Sequence, residues 1–296
     1  MYIINILLPD FLLILLGFVL LRVTNWSTDF WSGMEKLIYF VLFPALLFYS
    51  TSRAPLDFAS SGHFLQIGLI ASVSGILLGW LAKPLFRPAS MVFESGVQTA
   101  FRFNSYIALA IAGRLAGEDG IALMALLIGF AVPLSNMAAV HALVKKDDRL
   151  MLEMIKNPLL MATLAGISFN LLGLHMPDAA SAFLSRLGNA SIALGLMMVG
   201  AGLQIRSLHA SKGIATYFLT IKLLVVPAIA YGLGVWVGLP PLQLQLVVMF
   251  AALPTASSAY VLAVRMGGNG GFVAFLISAS TVLSMLTLSF WLAVLR

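Results

Sequence analysis

Cysteine is absent from the 296-residue chain, which excludes disulfides, thiol catalysis and thiolate-ligated metals. Charge is scarce. Asp, Glu, Lys and Arg make up 9% of the residues, against about 25% in a soluble domain, too few to build a water-facing surface. No polar stretch is long enough for a separate soluble domain. The four histidines, His63, His141, His175 and His209, are scattered. None has a carboxylate or second His at ligand spacing, so no metal site is expected. Paired carboxylates, a Ser–His grouping and a phosphate loop are also missing. An enzyme is therefore not expected, and no cofactor is implied. The formal net charge is +6, but the Lys and Arg residues sit in short joints between apolar runs. Membrane orientation and anionic head groups explain them better than nucleic acid does. The first apolar run lacks a basic leader and a small-residue cleavage site, so it reads as a retained helix.

Apolar residues, by contrast, are 61% of the chain. One bilayer crossing needs about 20 of them in succession, and ten such runs can be drawn. They cover roughly 3–22, 34–52, 62–82, 96–115, 120–144, 158–175, 184–205, 213–237, 244–265 and 271–295. Only helices or closed barrels satisfy every backbone group in lipid, and continuous runs without two-residue alternation choose helices. The expected fold is an all-α membrane protein with ten transmembrane helices in the lipid bilayer. The joints after odd-numbered runs hold Arg22, Lys36, Lys83, Arg87, Lys145, Lys146, Arg149, Lys156, Arg206, Lys212 and Arg265. The opposite face holds Arg53, Arg114, Arg186 and Arg296. The positive-inside rule then puts both termini outside.

The two halves of the chain correspond loosely. Runs 4 and 5 read Asn104-Ser105-Tyr106, an apolar stretch, Gly117-Glu118-Asp119-Gly120, and a second apolar stretch. Runs 9 and 10 read Ser258-Ala259-Tyr260, an apolar stretch, Gly267-Gly268-Asn269-Gly270-Gly271, and another. Five runs per half is an odd number, so the halves would insert with opposite orientation, as in inverted-repeat secondary transporters. Chance likeness between apolar helices is the alternative.

Polar residues inside the runs mark the candidate site. Arg102, Asn104 and Ser105 interrupt run 4, and Pro254, Thr255, Ser257 and Ser258 interrupt run 9. Pro254 removes a backbone donor and crowds the preceding turn; Asn and Ser divert backbone bonds to their side chains. Two broken helices that meet would aim half-helix ends at one point. Free N–H groups there suit anions and free carbonyls suit cations. A simple kink with hydroxyls bonded back into their own helix is the competing explanation. Run 5 carries Pro133-Leu134-Ser135-Asn136, where Pro133 and Asn136 either complete a polar site or glue helices together. Ser278, Ser280, Thr281 and Ser284 in run 10 read mainly as packing residues. Among ionisable groups, Asp10 lies near the outer end of run 1 and reads as interfacial. Lys222 lies about ten residues into run 8. It would snorkel to the cytoplasmic face, pair with a carbonyl or attract an anion, and snorkelling is the favoured expectation. Arg102 and Lys222 are thus candidate charge partners.

The segments Phe101-Arg-Phe-Asn-Ser-Tyr106, Gly117-Glu-Asp-Gly120, Pro133-Leu-Ser-Asn136, Leu253-Pro-Thr-Ala-Ser-Ser-Ala-Tyr260 and Arg265-Met-Gly-Gly268 resemble the auxin efflux carrier (AEC) family. The resemblance spans the whole chain and implies ten helices as two inverted five-helix repeats, similar to plant PIN carriers and bile-acid symporters. It implies a scaffold of runs 1, 2, 6 and 7 (1–52 and 158–206). Runs 3–5 and 8–10 (62–144 and 212–295) would form a transport domain, with broken runs 4 and 9 crossing. Plant carriers place an Asn at each crossing and another on the fifth helix. Asn104 and Asn136 look like two of these, while Thr255 stands after the proline in place of the third. The resemblance further implies a bacterial inner-membrane carrier of a small organic anion such as malonate or malate, and a homodimer through the scaffold. Coupling to Na⁺, coupling to a proton and uniport all stay open. A sensor that binds its ligand without moving it is the alternative function.

Overall fold

A computed structural model describes residues 2–53, 58–143, 158–203, 212–256 and 258–295. The described residues contain helices, turns and short loops, with no strand among them. The helices are α1 (Tyr2–Val23), α2 (Thr28–Leu37), α3 (Phe43–Arg53), α4 (Phe58–Phe86), α5 (Ser90–Gly96), α6 (Ser105–Leu143), α7 (Pro158–Leu171), α8 (Asp178–Ala201), α9 (Lys212–Thr220), α10 (Val226–Val237), α11 (Pro241–Ala251), α12 (Ser258–Arg265) and α13 (Gly270–Val294). A π-helical turn, Ile38–Leu42, joins α2 to α3, and another, Ile221–Val225, joins α9 to α10. A 3₁₀ turn, Val97–Ala100, follows α5.

Helix occupies each of the ten apolar runs, but several helices start earlier than hydropathy suggests. α2 begins at Thr28, where Ser27 Oγ accepts from the Phe30 amide at 3.2 Å; its polar first turn reads as a joint by composition. α5 starts at Ser90 and α8 at Asp178, each also ahead of its expected run. Six segments among the described residues are long and apolar enough to cross a membrane: Thr28–Arg53, Gly62–Phe86, Ser90–Leu143, Asp178–Ala201, Lys212–Val237 and Gly270–Val294. Ser90–Leu143 has 54 residues, more than twice the roughly 20 that one crossing needs. It bends sharply inside α6, where Ala116 (φ −146°, ψ 21°) and Gly117 (φ 58°, ψ −139°) leave helical geometry. Only glycine adopts the Gly117 conformation without strain. The chain stays helical through Pro133.

The chain divides into two compact units. The first contains residues 1–61, 106–130 and 151–202; the second contains 62–105, 131–150 and 203–296. In the first, backbones approach closely at small residues. A Cβ on Gly17 would strike the Met197 carbonyl, and one on Gly200 the Ile14 carbonyl, so α1 lies directly against α8. Gly166 of α7 similarly abuts Thr51 and Phe48 of α3, and Asn170 Nδ2 donates to the Thr51 and Ser52 carbonyls at 3.3 and 3.0 Å. Close contact at glycine is how helices associate in lipid, where apolar burial supplies no force between them.

The second unit is built around the interrupted helices. Gly75 and Gly79 of α4 admit the 3₁₀ turn, with Ala100 atoms 3.1 Å from the position of either Cβ. Gly96 lies under the rings of Phe218 and Phe272. Phe103 of the first interruption and Phe250 in the last turn of α11 pack with ring centroids 4.6 Å apart. Trp291 Nε1 of α13 donates to the Leu223 carbonyl at 3.0 Å. At Gly267 (φ 71°) the chain turns from α12 into α13, and Asn269 Oδ1 caps the new helix by accepting from the Phe272 amide at 3.0 Å. Gly267-Gly268-Asn269-Gly270-Gly271 is thus a helix hairpin.

Candidate functional site

The first interruption has no proline. Its helix is loosened by its own polar side chains. Gln98 Nε2 donates to the Ser95 carbonyl at 3.1 Å and Thr99 Oγ1 to the Gly96 carbonyl at 2.7 Å. Such back-bonding competes with the regular ladder, and the turn tightens to 3₁₀. The Phe101 and Arg102 amides then both reach the Gln98 carbonyl, at 3.3 and 2.9 Å. The chain leaves the helix at Phe101, and α6 begins at Ser105. The second interruption follows proline chemistry. The Ala252 and Leu253 amides close the end of α11 on the Val248 and Phe250 carbonyls at 3.0 and 3.3 Å. Pro254 has no N–H to continue, and α12 resumes at Ser258.

The two interruptions are stitched together by a pair of reciprocal hydrogen bonds. The Asn104 amide donates to the Pro254 carbonyl at 2.9 Å. Thr255 Oγ1 donates to the Thr99 carbonyl at 2.9 Å. Ser280 Oγ of α13 accepts from the Thr255 amide at 3.1 Å, so each break has its freed backbone satisfied by another element, as burial in lipid demands. Asn104 and Thr255 are 3% and 1% exposed.

Two cations complete the arrangement. The Arg102 guanidinium bridges Gln98 Oε1 at 3.1 Å and Asn136 Oδ1 at 2.5 Å, tying the first break to the Pro133–Asn136 stretch of α6. Lys222 Nζ donates to the Ala251 carbonyl, the last of α11, at 3.0 Å. It is 3% exposed. Lys222 therefore does not snorkel: it pairs with the Ala251 carbonyl, whose helical donor, the Thr255 amide, is turned to Ser280 Oγ.

Of the residues proposed from sequence, Arg102, Asn104, Asn136, Pro254 and Thr255 form one hydrogen-bonded group in the second unit. Lys222 joins it through Ala251. Ser105 opens α6 and is half-buried; Ser258 opens α12 and is exposed; Pro133 is buried within α6. Ser257 and the side chain of Asp10 lie outside the described residues. Sequence reading missed Gln98 and Thr99, and it assigned Ser280 to packing. The adjacent pair Gln98-Thr99 in an apolar run was the available signal.

Chemically, the group offers hydrogen-bond donors and fixed positive charge, with no nucleophile paired to a base. The Asn136 oxygen is engaged by Arg102, which leaves its amide N–H groups as donors. Each half-helix start carries partial positive charge, and each half-helix end partial negative charge.

Comparisons with known proteins agree on what such a chain is. The family model described as membrane transport protein matches residues 139–292. An uncharacterised transporter of Methanothermobacter thermautotrophicus is 26% identical over 292 residues, covering 96% of this chain and 95% of the relative. A Rhizobium meliloti protein, provisionally named a malonate transporter, is 24% identical over 308 residues and covers 99% of this chain and 95% of its own. A rice protein provisionally named auxin efflux carrier component 1b is 27% identical over 117 residues, which is 38% of this chain and 21% of the rice protein. The chain is a membrane transporter rather than an enzyme, and it belongs to the membrane transport protein family, the auxin efflux carrier family whose motifs it carries.

Proposed function

We propose that this protein is a secondary transporter, or a uniporter, of a small mono- or dicarboxylate such as malonate or malate. The observation that carries the reading is the reciprocal stitching of the two interruptions at Asn104–Pro254 and Thr255–Thr99. Breaks at corresponding places in two halves are what an inverted repeat makes when it builds a midplane ion site. The reading therefore takes the chain as ten crossings in two inverted five-helix repeats, with both termini outside and the protein in a bacterial inner membrane. The Rhizobium relative supports the carboxylate class, and so does a site rich in N–H donors with Arg102 at its edge. Asn104, Thr255 and the amide of Asn136 contact the carboxylates, with Ser105, Ser257 and Ser258 at the half-helix starts. Movement of a transport domain (62–144 and 212–295) against a scaffold (1–52 and 158–206) alternates access, in the manner of an elevator.

Uptake of labelled malonate into proteoliposomes tests this. Saturable uptake, competed by unlabelled malonate or malate, is expected. Binding of these acids without flux would replace the transporter reading with a sensor; absence of both binding and flux would remove the carboxylate assignment.

A further inference from the structure

We infer that the Lys222 ammonium is a tethered cation standing where a coupling ion would otherwise sit, so that this carrier works without Na⁺. The inference rests on the transporter reading but is argued from a different part of the molecule. Burying an ammonium in lipid is costly unless something specific holds it. Here the backbone does. The π-turn Ile221–Val225 inserts one residue into the α9–α10 helix, a device concentrated at functional sites. Lys222 lies within it and reaches the terminal carbonyl of α11.

The surroundings are mostly apolar side chains, so the backbone carries the ammonium. Beside the lysine is a cavity of about 10 Å³, room for a single water. Its lining includes Lys222, Ser72, Ala100, Phe101 and Ala251. Ala100 ends the 3₁₀ turn before the first break and Ala251 ends α11 before the second. The end of α11, with its partial negative charge, therefore holds the ammonium directly, and the end of the 3₁₀ turn borders the same cavity. Among the described residues no acidic side chain lines the cavity, so the Ala251 carbonyl dipole rather than a carboxylate faces the charge. Unwound carbonyls and half-helix ends are the groups that coordinate Na⁺ in broken-helix transporters. Deleting the lysine side chain would leave the Ala251 carbonyl without its donor beside an enlarged cavity that also holds Ser72, room for a small monovalent cation.

The test uses wild type and two variants, Lys222→Ala and Lys222→Met, in detergent extracts. Thermal stability is read by the fraction surviving heating, with NaCl or choline chloride as the only salt. Wild type and Lys222→Met, whose side chain refills the volume, are expected to be indifferent to the salt. Lys222→Ala is expected to gain about 3–8 °C in apparent Tm in about 100 mM NaCl. Lys222→Ala equally stable, or equally unstable, in both salts overturns the inference. So does a Na⁺-dependent gain in wild type, or wild-type malonate uptake that collapses when choline replaces Na⁺. The stability readout involves no substrate. Failure of malonate uptake under all salts would therefore sink the carboxylate reading and leave the cation result standing.

Discussion

Thr255 Oγ1 donates to the Thr99 carbonyl at 2.9 Å across the two interrupted helices. The acceptor belongs to the tightened turn that ends one half-helix, and the donor follows the proline that ends the other. Neither carbonyl nor hydroxyl can find water instead, because Thr99 and Thr255 are 3% and 1% exposed. Thr255→Val keeps the volume and removes the bond. It should lower stability by about 1–2 kcal/mol, the range for a buried acceptor left without its donor. Thr255→Ser should retain most of the wild-type value. Thermal unfolding of the two variants in one detergent checks this; equal stability would show that the hydroxyl is not holding the breaks together.

Arg102 and Asn136 should behave as a coupled pair. Their bond, 34 residues apart in sequence, links the first interruption to α6. A double-mutant cycle with Arg102→Gln and Asn136→Ala should give a coupling energy of about 1–3 kcal/mol. Additive effects would mean that the guanidinium makes no use of the amide. Arg102→Lys should not substitute, since an ammonium lacks the planar fork that spans Gln98 and Asn136 together.

Glycines in this chain are not equivalent, and the packing of the first unit says which matter. A Cβ at Gly200 would collide with the Ile14 backbone, whereas a Cβ at Gly33 meets nothing within 4 Å. Gly200→Ala should cost about 2 kcal/mol or more, because α1 must shift bodily. Gly33→Ala should be neutral or slightly stabilising, by up to about 1 kcal/mol from helix propensity. Comparing their melting temperatures tests the close approach of α1 and α8.

Gly117→Ala probes the bend in α6. The φ of 58° with ψ of −139° lies where a side chain is strained by about 1–3 kcal/mol. The variant should be less stable than wild type by that amount, and Ala116→Gly, at a φ open to any residue, should not. Equal losses at both positions would argue against a sharp turn there.

Much of this architecture was legible in the sequence because lipid enforces simple rules. Ten apolar runs announced helices, and Pro254 announced a break, because a missing N–H cannot be hidden in hydrocarbon. Asn104 marked the other break by a polar side chain where none was needed. The family motifs named the same two places. Helix starts were less legible: Thr28 opens a helix with a polar first turn that looks like a joint, and Ser90 and Asp178 also precede their expected runs. Lys222 was misjudged because snorkelling is the usual recourse of a long cation, and nothing local reveals that the Ala251 carbonyl lies within reach. The Thr255–Thr99 bond spans 156 residues. Only packing of the two breaks creates it, so the polar pair Gln98-Thr99 marked a place in the run without revealing its partner.

The central claim is that the joined interruptions form the transport site. Initial malonate uptake by Asn104→Ala and wild type, reconstituted side by side and normalised to inserted protein, tests it most directly. At least about tenfold slower uptake is predicted for a variant that inserts and melts like wild type, since losing polar contacts to a carboxylate forfeits about 1.5–3 kcal/mol. Wild-type uptake by Asn104→Ala would contradict the account and move the site away from the crossing.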